Sequence, residues 1–120
     1  MIDFDLDLEN GIIDVRPSGP LSAEDFKSVA AAVDPYIEQE GEIQGVIIHA
    51  VTFPGWKDFA GLIGHLKFIR MHHEHIKKVA VVSDDVVLEF LPSITAHFVR
   101  AEIRHFPYGE YEAARNWIQQ

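Results

Sequence analysis

His49, Thr52, Ser83, Asp84, Asp85 and His105 are the residues whose types could do acid–base or nucleophilic chemistry. Each falls at or just beyond the end of an apolar run, and open α/β sheets hold their ligands beyond the carboxyl ends of the strands. A hydroxyl, an imidazole and a carboxylate gathered there would form a Ser-His-Asp relay. The local sequence argues for something plainer. No GxSxG turn lifts a serine into reach of a substrate. Asp84-Asp85 ahead of a helical pattern reads as a cap, accepting from free N–H groups and complementing the helix dipole. The expectation is no catalytic residue and no enzyme, with a small hydrolase as the minor alternative. His49, Thr52, Ser83, Asp84 and His105 are the candidates to line a strand-end pocket.

His72, His73 and His75 raise metal binding. Only His72 and His75 share a helix face, and a metal needs three or four ligands. Histidines near a helix C-terminus also complement its negative end. The chain has no cysteine, so disulfides, thiolate catalysis and cysteine-type zinc sites are excluded. The expectation is therefore no metal and no cofactor.

Two apolar features remain unexplained by chemistry. The stretch Phe53-Pro54-Gly55-Trp56 places two aromatics on a turn between a strand and a helix. They either fold back into the core or form a lip beside a pocket mouth, where Trp suits a bilayer interface. Lys57, Lys67 and Arg70 follow closely enough to meet lipid head groups, and Phe59 extends the lip. The second feature is the stretch 86–99, where Glu89 is the only charge among Val86, Val87, Leu88, Phe90, Leu91, Ile94, Phe98 and Val99. A helix without a polar stripe is either fully buried or covers a ligand or a partner subunit. Leu88, Phe90, Leu91 and Phe98 join Phe53, Trp56, Lys57 and Phe59 as candidate ligand or membrane contacts, and the same segment would serve a homodimer.

With 120 residues, 48% of them hydrophobic, the chain suits one domain spanning 1–120 with a sizeable core. Its formal charge of −9 opposes nucleic-acid binding. Charge is unevenly placed: two cations face eleven carboxylates from Met1 to Glu42, whereas Lys57 to Lys78 holds five cations and two carboxylates. No apolar run is long enough to cross a bilayer, and the acidic start MIDFDLDLEN is unlike a secretory or transit signal. The expected location is the cytoplasm, with peripheral contact at the inner membrane face.

The elements that must position these residues follow from periodicity. Ile2, Phe4, Leu6 and Leu8 alternate with acids, as in a strand with one wet face. Asn10-Gly11 signals a hairpin and Ile12 to Arg16 the returning strand. Ser22 with Asp25 opens a helix whose Phe26, Val29, Ala30, Val33 and Ile37 share a face, and Gly41 ends it. Val46-Ile47-Ile48 and Val79-Ala80-Val81-Val82 read as strands covered on both sides. Between them, Phe59, Leu62, Ile63, Leu66 and Ile69 repeat at helical spacing. After the 86–99 segment, Ala101 to Phe106 makes a last strand. Tyr111, Ala114, Trp117 and Ile118 line one face of a closing helix. The order β-β-α-β-α-β-α-β-α predicts an α/β fold: a five-stranded, mostly parallel sheet with an N-terminal hairpin, right-handed crossovers and about four helices.

That order, with Gly55-Trp56, the junction HLKFIRMHHEHIKKVAVVSDD and the ending VRAEIRHFPYGEYEAARNWI, resembles the SpoIIAA-like family of small bacterial proteins. The family is a distant relative of STAS anti-sigma-factor antagonists and of the CRAL-TRIO (Sec14-type) lipid-binding fold. STAS antagonists carry an Asp-Ser-Ser-Gly type stretch, with a phosphorylated serine, where this chain has Asp58-Phe59-Ala60-Gly61. No hydroxyl stands there, so a phosphate switch cannot operate at that position. Together with the Phe53/Trp56 turn and the apolar 86–99 segment, the resemblance to a lipid-binding relative points to a non-enzymatic module binding a small apolar or amphiphilic ligand, with weak membrane association. The alternative is a STAS-type protein–protein module without the phosphorylatable serine.

Overall fold

A computed structural model describes residues 1–85, 88 and 99–120. Its sheet has five strands: β1 (Ile2–Asp7), β2 (Ile12–Pro17), β3 (Ile43–His49), β4 (Ile76–Val82) and β5 (Glu102–Phe106). They lie side by side in chain order, β1 antiparallel to β2 and every later pair parallel. Three helices are described: α1 (Ala23–Glu40), α2 (Phe59–His72) and α3 (Tyr111–Ile118). A 3-10 turn, His73–His75, joins α2 to β4. The α/β class and the mostly parallel sheet are as expected from sequence. The fourth expected helix falls in 86–99, which lies almost wholly outside the described residues, as do the candidates Phe90, Leu91 and Phe98.

The hairpin differs in detail from its sequence signal. Asp7 pairs with Ile12, so the loop spans Leu8 to Gly11 and Leu8 leaves the strand to stand exposed. Gly11 alone in this loop takes a positive φ, 66°. Asp7 organises the turn, accepting from the backbone of Glu9 and Asn10 and from the Asn10 amide.

Strands added steadily in one direction through right-handed crossovers put successive helices on the same face. α1 and α2 accordingly lie together. Val29 and Val33 of α1 meet Ile13, Val15 and Ile43 of the sheet. α1 starts with a capping box, Ser22 and Asp25 each bonding the other's backbone N–H. On the opposite face α3 buries Ala114, Trp117 and Ile118 against Ile12, Ile47, Ala80, Val82 and Phe106. Gly45 lets it sit close, since a Cβ there would fall 2.4 Å from Ile118 Cγ2. Lys78 is buried beneath α3; its Nζ donates to the Trp117 carbonyl at 2.9 Å and lies 5.1 Å from the indole centroid. A cation at the last carbonyls complements the helix dipole.

α2 seats itself in a way the apolar repeat does not indicate. Its inward stripe is Gly61, Gly64, His65, Phe68 and His72, spaced by three and four residues. A Cβ on Gly61 would come within 2.3 Å of the Leu21 carbonyl oxygen, and one on Gly64 within 3.1 Å of Ala23 Cα. The helix thus rests directly on the start of α1. His72, 5% exposed, bridges the Phe68 carbonyl (2.8 Å) and the Asp34 carboxylate (2.7 Å). Phe59, Ile63 and Leu66, three of the five apolar residues in the repeat, turn outward instead.

Candidate functional site

The carboxyl end of the sheet is a laced set of loops. Ser83, 1% exposed, donates from Oγ to the Val51 carbonyl (2.9 Å) and from its backbone to Phe106 (3.0 Å). His105 Nε2 donates to the Ser83 carbonyl at 2.7 Å. Asp84 Oδ1 accepts from Tyr108 N, and Asp85 Oδ2 accepts from Phe53 N, both at 3.0 Å. The loops after β3, β4 and β5 therefore hang on Ser83-Asp84-Asp85. His105 meets the carbonyl of Ser83 and not its hydroxyl, while Asp84 spends a carboxylate oxygen on a backbone amide. These contacts position loops and do not form a relay.

His49 points to the α3 side, where its ring stacks on Tyr108 (4.6 Å) and packs at a tilt near Tyr111 (5.2 Å). The Tyr111 hydroxyl donates to Asp14 Oδ2. Burial, then that bond to a carboxylate, raises the Tyr111 pKa above the ordinary phenol value. Arg115 reaches Asp7 Oδ2 at 2.7 Å. Thr52 is exposed, between Val51 and Phe53, whose backbone groups Ser83 and Asp85 hold. Leu88 is buried and its N–H donates to the Asp85 carbonyl.

The aromatic turn holds one half-buried ring, Phe53, and one exposed ring, Trp56. Leu21 brackets Trp56 through backbone bonds, accepting from Lys57 N and donating to the Gly55 carbonyl, both at 2.8 Å. Phe53 is half-buried and meets Trp56 edge to face at 5.1 Å. The indole Nε1–H donates to His65 Nδ1 at 3.1 Å, yet Trp56 stays 40% exposed. Asp58 caps α2 by accepting from Gly61 N at 2.9 Å. Beyond it Phe59 is 74% exposed, Leu66 54% and Ile63 39%. At spacings of four and three residues these three form an apolar ridge along the outer side of α2, and the exposed Trp56 precedes it in the turn. Lys57, Lys67 and Arg70 stand exposed along it.

Sequence reasoning named Trp56, Lys57 and Phe59 as site candidates and missed Ile63, Leu66 and His65. The available signal was Gly61 and Gly64, a small-residue stripe that marks a close backbone contact and so fixes the opposite face as outward.

Two shallow grooves occur elsewhere. One, of about 370 Å³, lies among Glu9, Asn10, Gln44 and the C-terminal Ile118 to Gln120. The other, of about 220 Å³, lies between the C-terminal parts of α1 and α2, beside Asp34, Met71, His72 and His75. His73 Nδ1 accepts from Arg100 N. Among the described residues no three His, Asp or Glu side chains gather to hold a metal, and no helix is long and apolar enough to cross a membrane.

No curated protein matches the sequence. A crystal structure of an uncharacterized protein with a SpoIIAA-like fold from Shewanella loihica PV-4 is similar, with a TM-score of 0.71 at 17% identity. The match covers 98% of this chain and 92% of that one. At that identity the likeness shows the fold alone. The SpoIIAA-like family model matches residues 12–119. That span holds four of the five strands and all three described helices, so the chain belongs to the SpoIIAA-like family.

Proposed function

We propose that this SpoIIAA-like domain is a non-enzymatic binding module that meets an apolar or amphiphilic, lipid-like partner on the outward face of α2. Its membrane contact would be weak and reversible, at the cytoplasmic side. One observation carries the reading: Phe59, Ile63 and Leu66 stand exposed on one face of α2, with Lys67 and Arg70 exposed on the same helix and Trp56 and Lys57 exposed just before it. Burying a large apolar side chain contributes roughly 1.5–3 kcal/mol, and each cation near an anionic surface about 1 kcal/mol. The remaining acidic surface of a chain with net charge −9 works against attachment.

The test is flotation with vesicles of phosphatidylcholine alone or mixed with phosphatidylserine. The chain should float with the anionic vesicles and lose contact as salt rises. The double variant Phe59→Ser, Leu66→Ser should stay at the bottom while keeping its melting temperature, since both residues lie outside the core. Undiminished flotation of that variant would overturn the reading.

A STAS-type protein–protein module is the second reading. It is favoured by Phe59, which stands exposed at the start of the helix where STAS antagonists carry their phosphorylated serine. A second copy of the chain covering the ridge would show as a dimer by sedimentation, lost in the same double variant.

A further inference from the structure

Among the described residues, the Trp56–His65 contact is where a titratable ring holds an exposed aromatic beside the ridge. An indole nitrogen can only donate. His65 Nδ1 accepts its hydrogen at 3.1 Å, which requires the tautomer with the proton on Nε2. The imidazole is fixed from behind by Phe26, stacked at 4.6 Å with an interplanar angle of 13°. Phe26 is itself 8% exposed, so His65 has little room to turn. Trp56 sits on a turn, with its backbone pinned by Leu21 on both sides, its indole N–H bonded to His65 and its ring touched edge to face by the half-buried Phe53.

We propose that the Trp56 Nε1–H···Nδ1 His65 bond is an acid-sensitive latch: protonation of His65 sets donor against donor and frees the indole to swing out onto the α2 ridge. Of the two rings Trp56 is the one able to move, because it lies at the surface and pivots on a pinned backbone. The new charge on His65 then joins Lys57, Lys67 and Arg70, and the released indole enlarges the apolar surface. Both changes favour an anionic amphiphilic surface. This consequence rests on the proposed function; the latch itself does not.

The groups around the ring leave the proton alone to decide. Toward it α1 presents Phe26, while Glu24 and Lys27 pair with each other at the surface at 3.3 Å. The turn presents the indole, with Lys57 exposed. On α2 itself Asp58 is engaged by Gly61 N. Burial lowers the His65 pKa from its ordinary value of 6.5, so the latch is closed at neutral pH and opens below the usual histidine range.

Tryptophan emission, followed without lipid from about pH 7.5 to about pH 5, tests the latch. The variants are Trp56→Phe, which leaves only the buried Trp117 to report, and His65→Gln, whose amide oxygen accepts from the indole at every pH. Wild type should show a red shift and quenching that both variants lack. In wild type, the Trp56 indole N–H resonance should move and exchange faster as the His65 ring titrates, which gives the same answer without a mutation. An emission transition that persists in His65→Gln, or an indole resonance unmoved while His65 titrates, would overturn the proposal. Anionic vesicles should bind wild type more tightly on acidification and H65Q equally at both pH values. A latch that titrates while no vesicle binds would sink the proposed function and leave the latch standing.

Discussion

α2 and α3 are both short helices laid against the same small fold, and their sequences point in opposite ways. α3 is amphipathic, and the face its apolar residues mark (Tyr111, Ala114, Trp117, Ile118) is the face it buries or half-buries. α2 is apolar on more than one side, and it buries Gly61 and His72 and half-buries Gly64 and His65 while Phe59, Ile63 and Leu66 face out. Periodicity reports a contrast between faces. Where the contrast is absent, steric fit chooses. Only the Gly61–Gly64 side of α2 lets its backbone approach Leu21 and Ala23, so the bulky residues are left outside.

The largest expected effect comes from removing that fit. Gly61→Ala would place a methyl against a backbone oxygen that cannot step aside. We expect a loss of about 2–3 kcal/mol in urea unfolding, net of the helix-propensity gain of roughly 1 kcal/mol. An unchanged midpoint would mean that α2 is seated by something other than close packing. The matching change at α3 is Lys78→Met, which keeps the packing volume and deletes the bond to the Trp117 carbonyl. That carbonyl also accepts from Gln120 N, so it is not orphaned, and a loss of about 1.5 kcal/mol is expected.

The smallest effect concerns how α3 is tied to the hairpin. Asn10, then Arg115, hold the Asp7 pKa down at about 2 against an ordinary 3.8. The folded carboxyl keeps its charge where the unfolded one takes up a proton. The stabilisation is therefore complete above pH 3.8 and is lost as pH falls toward 2. Acid unfolding of Asp7→Asn should be shallower across that window than in wild type. Identical slopes would remove Asp7 from the account.

Legibility tracked the kind of force involved. The strands were readable because alternation and β-branched runs report burial one residue at a time. The α1 start was readable because Ser22 and Asp25 cap locally. The Asn10-Gly11 signal predicts a loop two residues shorter than the one formed, since Asp7 gathers the amides of Glu9 and Asn10 into a four-residue loop. At the strand ends, Ser83, Asp84 and His105 were recognised as neighbours. Their partners, the Val51 carbonyl, Tyr108 N and the Ser83 carbonyl, are backbone groups from other loops, and backbone groups carry no sequence signature.

By itself the amino-acid sequence determined the α/β class, the strand order along the chain, the amphipathic seat of α3 and the absence of thiol chemistry. Those depend on periodicity and composition, which are local. The tertiary structure alone decided which way α2 faces, that Phe53 tucks in while Trp56 stays at the surface, and that His65 holds the indole. Those depend on distances between segments far apart in the chain, where a missing Cβ or one ring nitrogen settles the arrangement.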